Sequence, residues 1–218
     1  MTTKSITYPL NTLPEGAIPY GVAVNPGTIE GRQALRVTLT DEISKGEPTI
    51  DFIDMPTFLI IPTDFKNGTI SVDLFSQLRK DAPDYARGFA GLAYRINANQ
   101  DFFEAVYLRP LNGLKVNPAP PRDQRAIQYF CYPNWKFDRL REEYPDGDFE
   151  AGAPIGPSEW INLRLNIDEN NLTVFVDDVE CISLNQTKAE GTYGKIGLFV
   201  DIGTEAYFCN LKIDADLR

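Results

Sequence analysis

Along most of the chain, apolar and polar positions alternate with a period of two. In TISVDLF, Ile70, Val72 and Leu74 alternate with Ser71 and Asp73, the pattern of a strand with one buried face. WINLRLNI sets Ile161, Leu163, Leu165 and Ile167 against Asn162, Arg164 and Asn166, and KIGLFVD sets Ile196, Leu198 and Val200 against Gly197, Phe199 and Asp201. LTVFVD and AYFCNLKI read as further strands. Three consecutive runs in the middle follow the same rule. FAGLAYRI places Leu92, Tyr94 and Ile96 opposite Gly91, Ala93 and Arg95; FFEAVYLR places Val106 and Leu108 opposite Tyr107 and Arg109; AIQYFC places Ile127, Tyr129 and Cys131 opposite Gln128.

Residues 1–48 read as an extended arm and a hairpin, GVAVN and ALRVTL, separated by the turn residues of NPGTIEGR. WKFDRLREEY fits two periods. Phe137, Leu140 and Tyr144 have helical spacing, while Trp135, Phe137, Arg139 and Arg141 would line one side of a strand; it is read as a strand. PLNGLKVNPAPPRDQ is too rich in Pro, Gly and Asn for anything but a loop. Many short strands, turns rich in Gly, Pro and Asn, and no long helix predict an all-β fold. The expected architecture is a two-sheet antiparallel jelly-roll sandwich forming a single domain over 1–218, with 1–48 completing it.

Composition narrows the function. The chain of 218 residues has net charge −10 and a pI near 4.6, which argues against a nucleic-acid partner, since such binding needs a basic footprint. No apolar run approaches the roughly 20 residues of a membrane helix, so no membrane partner is expected. The N-terminal MTTKSITYPLNTLPEG lacks the apolar segment of a signal peptide; the expectation is a cytoplasmic protein, or an exported one whose signal has been removed. Cys131, Cys181 and Cys209 fit neither a zinc spacing nor a disulfide framework. The chain has no histidine, which removes Ser-His-Asp and Cys-His machinery, His-based zinc sites and imidazole bases together. Any catalysis must run on carboxylates, Tyr, Lys, Arg or a bound cation.

Arg95, Tyr107, Arg109 and Gln128 are the leading ligand-binding candidates. They lie on three consecutive strands, opposite the apolar stripe, so neighbouring antiparallel strands would gather them on one open groove. The guanidinium fork and the amide suit sugar hydroxyls or a carboxylate; the plain alternative is solvated side chains balancing acidic neighbours. Arg109→Ala is accordingly expected to weaken binding with little change in melting temperature. Trp135 is a candidate rim platform for a sugar ring, and Trp160 reads as packing. Asp146, Asp148 and Glu150 form a D-x-D-x-E turn that could hold calcium through hard oxygen ligands; the plain alternative is a solvated turn.

YLRP at 107–110, QY at 128–129, LRE at 140–142, Trp160 after GPSE, and GTEAYFCNLKI at 203–213 together resemble the concanavalin A-like lectin/glucanase superfamily. Within it they are similar to the lectin-like domains related to 3-keto-disaccharide hydrolases. The likeness covers roughly residues 65–213. It implies a sandwich with a concave face and a sugar as ligand, and it leaves activity open. Laminarinase-type members carry Glu-x-Asp-x-x-Glu on one strand, which supplies two carboxyl groups at the close spacing of a retaining mechanism; this chain has no such pattern. The leading function is therefore carbohydrate binding by a lectin-like sandwich. The alternatives are a glycoside-cleaving enzyme acting on 3-keto sugars and a structural or protein-interaction sandwich.

Overall fold

The computed structural model describes residues 3–189 and 193–216. Two antiparallel sheets face each other. The first comprises β1 (Thr3–Tyr8), β3 (Val22–Ile29), β4 (Arg32–Leu39), β6 (Gly68–Leu78), β11 (Trp160–Asp168), β12 (Asn171–Val176), β13 (Val179–Leu184) and β15 (Thr204–Asp216). Its order is β13-β12-β11-β6-β15-β4-β3, with β1 also paired to β15. The second comprises β2 (Ile18–Tyr20), β5 (Phe58–Phe65), β7 (Ala90–Ile96), β8 (Phe103–Leu108), β9 (Ile127–Tyr132), β10 (Glu150–Ala151) and β14 (Gly194–Val200). Its order is β10-β9-β8-β7-β14-β5-β2. The expected two-sheet jelly-roll sandwich is what the chain forms.

The period-two pattern explains the core between the sheets. Ile70, Val72 and Leu74 on β6, Leu163 and Leu165 on β11, and Val174 and Val176 on β12 are fully buried. Leu92, Val106, Leu108, Ile127, Ile196 and Leu198 meet them from the other sheet, also fully buried. Each such side chain contributes about 1.5–3 kcal/mol by leaving water.

The hairpin of β3 and β4 is tighter than its sequence implies. Pairing runs from Val22↔Leu39 to Ile29↔Arg32, so the Pro-Gly stretch lies within a strand and only Glu30-Gly31 turns. Both residues have positive φ, +47° and +75°, as a two-residue hairpin matching the strand twist requires.

One expected strand is a helix. Phe137–Glu143 forms α2, following a short α1 (Asp41–Ser44). Its first N–H, on Phe137, is accepted by Asp54 Oδ2 at 2.8 Å, Leu140 points into the core, and Arg139 pairs with Glu143 one turn on at 2.7 Å. The helical spacing of Phe137, Leu140 and Tyr144 governs because a distant residue satisfies the end of the helix.

Candidate functional site

On the outer face of the second sheet, β8 and β9 place Tyr107 directly opposite Gln128, and β10 places Glu150 opposite Gln128 in turn. Arg109, just past the end of β8, reaches back over this patch. Its guanidinium donates to Tyr107 Oη at 2.9 Å, Gln128 Oε1 at 3.0 Å and Glu150 Oε1 at 2.6 Å. Three of the four residues expected to share a groove are thus one hydrogen-bonded network. Glu150, expected as a calcium ligand, completes it.

Arg95 does not join them. An extra residue in β7 shifts its register against β14 between Ala93 and Ile96, and Arg95 takes a left-handed φ of +53°. Such a bulge breaks the alternation. Arg95 therefore turns to the side of Tyr94, fully buried, where it pairs with Glu104 at 2.7 Å and donates to the carbonyls of Lys66 and Glu169. Glu104 also accepts from Tyr129 at 2.6 Å. This buried pair is satisfied on every side, which makes it a structural element rather than a ligand site.

The open concave groove is corrected too. Phe58, Phe103, Phe130 and Phe199 fill that face edge to face and are fully buried. Residues 48–57 meet α2 on the same side, through Lys136 Nζ to the Met55 sulfur and the Phe137–Asp54 bond. Beside these residues lies a cavity of about 310 Å³, and a second of about 460 Å³ shares Arg125 and Arg141 with it. The walls of the first carry five arginines, Arg87, Arg109, Arg122, Arg125 and Arg141, the acids Asp54 and Asp201, and Asn112. Tyr85, Phe89, Tyr107 and Phe137 are its aromatic surfaces, and Ile53 and Ile202 complete it.

The network around Arg109 forms one wall. Glu150 serves three cations, accepting from Arg109, from Arg141 at 2.8 Å and 2.5 Å, and pairing with Arg125 at 3.5 Å. Burial alone would raise its proton affinity, but the bonds from Arg141 and the charge of Arg109 prevail and hold its carboxyl below the ordinary range. Arg109 is only 4% exposed. Removing it would leave the buried Gln128 Oε1 without its donor and take one of three cations from Glu150, so Arg109→Ala should lower the melting temperature, against the expectation of little change.

Asp54 sits on strained backbone. Ile53 and Asp54 both have positive φ, +72° and +53°, an outlier for a β-branched residue that costs of order 1–3 kcal/mol. Asp201, just beyond β14, holds this turn by accepting from the N–H groups of Ile53 at 3.0 Å, Asp54 at 2.9 Å and Ile202 at 2.7 Å. Desolvation raises the Asp201 carboxyl despite those bonds. Asp54 is fully buried; desolvation first, then the charge of Asp201, push its carboxyl up to about 6. The Tyr107 hydroxyl acts on Asp54 in the opposite sense, lowering its carboxyl, but among the described residues neither Asp54 Oδ1 nor Asn112 Oδ1 has a partner within hydrogen-bond geometry. The Asn112 amide is oriented by donation to the Arg125 carbonyl at 3.0 Å.

Other expected site residues fall elsewhere. Trp135 bridges to Cys131, packs on Tyr144, and lies between Arg139 and Lys188 at 4.0 and 4.8 Å from its ring centre. It does not line the cavity. Trp160 packs on Phe75 in a small cluster on the outside of the first sheet. Among the described residues no group of three acidic or thiol side chains is placed to hold a metal; Asp146 and Asp148 stay exposed while Glu150 is turned to the arginines. Asp54, Asp201, Asn112 and four of the five arginines escaped the sequence reading. Arg density in the loops at 87, 122 and 125 was the one signal available.

No protein-family model matches the chain, and no curated protein matches it. Solved structures do. The carbohydrate binding module CBM66 from Bacillus subtilis matches at 17% identity over 89% of this chain and 96% of that one, TM-score 0.55. A protein of unknown function with a galectin-like fold, also from Bacillus subtilis, matches at 10% identity over 100% of both, TM-score 0.57. A β-1,3-1,4-glucanase (lichenase) derived from a mouse hindgut metagenome matches at 10% identity over 98% and 99%, TM-score 0.59. At these identities the likeness concerns backbone architecture alone, and with the sheet order described above it shows a concanavalin A-like jelly-roll fold.

Proposed function

We propose that the protein binds carbohydrate in the cavity walled by Arg109, Asp54 and Asn112. One observation carries this reading: fixed guanidinium donors, two unpartnered oxygen acceptors and aromatic surfaces converge on one small space. A sugar presents hydroxyls that both donate and accept, along with apolar C–H faces, and needs partners for the hydroxyls as they leave water. The carbohydrate-binding module among the similar folds is in keeping with the assignment. A glycan array followed by calorimetry tests it. Arg122→Ala removes an exposed donor at the cavity mouth and should weaken binding at least tenfold with the melting temperature nearly unchanged. An array on which no glycan binds, or a variant that binds as the parent does, sinks the proposal.

A second reading rests on Asp54. A buried carboxyl raised to about 6 with one free oxygen in a ligand-sized cavity has the attributes of a general acid or base. In glycoside cleavage of a 3-keto sugar it would take the proton beside the ketone. Incubation with native and 3-keto disaccharides separates the readings: release of monosaccharide by the parent but not by Asp54→Asn favours the enzyme, and binding without release favours the lectin.

A further inference from the structure

We infer that the saccharide taken by this cavity is acidic, carrying a carboxylate or a sulfate; this rests on the carbohydrate reading above. The chain has twelve arginines and nine lysines and a net charge of −10. Five of those arginines line this one cavity and none of the lysines does. Such a concentration of one side-chain type, against the charge of the whole molecule, calls for a cause. The planar guanidinium pairs two N–H groups with two oxygens of a carboxylate or sulfate, which an ammonium does not.

The balance of charge within the walls sharpens the point. The walls set five arginines against two acids, Asp54 and Asp201, and behind them Glu150 is shared by Arg109, Arg125 and Arg141. Arg87 donates through Nη1 to the carbonyls of Asp84 and Ala86, and neither it nor Arg122 has an ion pair among the described residues. Both therefore keep their charge for whatever enters. Burial, then the nearby charges of Arg122 and Arg109, lower the proton affinity of Arg87. These cations are crowded together at an energetic cost that a bound anion would relieve.

A bare inorganic anion answers only half of the site. Among the described residues Asp54 Oδ1 and Asn112 Oδ1 are buried acceptors without donors, and a buried acceptor left unsatisfied is costly. Hydroxyl groups supply what they lack. A neutral sugar answers the acceptors and leaves the cations unmatched. A ligand with hydroxyls on one part and an acid group on another satisfies both.

The test is calorimetric titration with matched pairs. The probes are oligogalacturonates and oligoglucuronates with their carboxyl-reduced forms, sulfated galactan oligosaccharides with their desulfated forms, and sodium sulfate alone. At least one acidic oligosaccharide should bind tenfold or more tightly than its neutral partner, weakening as salt is raised. Arg87→Ala and Arg122→Ala should each erase most of that preference while the melting temperature holds. The carboxylate and sulfate arms identify which acid group is read. Equal or tighter binding of the neutral partners overturns the inference and leaves the carbohydrate reading standing. Sodium sulfate binding as tightly as any acidic oligosaccharide overturns the carbohydrate reading, and the inference with it. Binding of no oligosaccharide overturns both, and acid preference unaltered in both variants removes the arginines from the site.

Discussion

Replacing Asp54 with Asn tests the electrostatics of the cavity with little steric change. Asn has the same shape, tolerates the left-handed φ of +53° that this position requires, and still offers an oxygen to the Phe137 N–H. It removes only the titrating group. The folded-state carboxyl is raised from 3.8 to about 6, so between those values the folded protein holds a proton that the unfolded chain has released. Stability from this group is fully present below about 3.8 and is lost as pH rises through about 6. Each tenfold change in proton affinity is worth about 1.4 kcal/mol, so the whole loss amounts to roughly 3 kcal/mol. Urea unfolding of parent and variant at intervals from pH 4 to pH 8 isolates it, because the other carboxylates titrate in both. Relative to the parent, Asp54→Asn should gain about 2–3 kcal/mol between the acid and neutral ends. Parallel stability curves, with a difference constant to about 0.5 kcal/mol across the range, would show that Asp54 titrates as an ordinary carboxylate. The case for it as an acid or base would then be gone.

Glu150→Ala should cost about 3–5 kcal/mol at neutral pH, because it leaves Arg109 charged and buried; denaturant titration measures it, and a loss below about 1 kcal/mol would show that water reaches the site freely. Glu104→Ala should destabilise by a similar amount and leave glycan affinity untouched, since Arg95 and Glu104 lie apart from the cavity; altered affinity would reconnect them to it. Leu165→Ala should cost about 2–5 kcal/mol by opening a void in the inter-sheet core, again read by denaturant. In a series of oligosaccharides of increasing length, affinity should stop rising after two or three units, since a cavity of about 310 Å³ holds no more. A steady rise with length would require an open groove.

The strand framework was legible because a half-buried strand writes its two faces into alternate letters. Leu163, Leu165 and Ile167 on β11 can be assigned to the core from that alternation alone, and all three are buried there. The same rule misplaced Arg95. Tyr94, Arg95 and Ile96 keep an alternating look in the sequence, and one extra residue in β7 turns the arginine inward. A bulge is an agreement between two strands, and neither strand announces it alone. The helix at Phe137 has a similar explanation, for its first N–H is met by Asp54, 83 residues earlier.

The site was half legible for the same reason. Tyr107, Arg109 and Gln128 could be gathered from adjacency of β8 and β9, which sequence order already suggests. The arginines at 87, 122, 125 and 141 arrive from separate loops and a helix, and nothing local distinguishes them from solvated charge. The covered face redirects the function as well. Four buried phenylalanines fill part of the outer face of the second sheet, where an open groove was expected, and the proposed ligand site is the cavity beside them. A cavity of about 310 Å³ lies at the small end of the range for ligand sites, about 300–1,000 Å³. On the proposed reading, a pocket of that size would take the terminus or a side branch of an acidic glycan. The two sets of arginines divide the work of receiving it. Glu150 ties Arg109, Arg125 and Arg141 together, while Arg87 and Arg122 have no ion pair among the described residues and on the proposed reading keep their charge for the ligand.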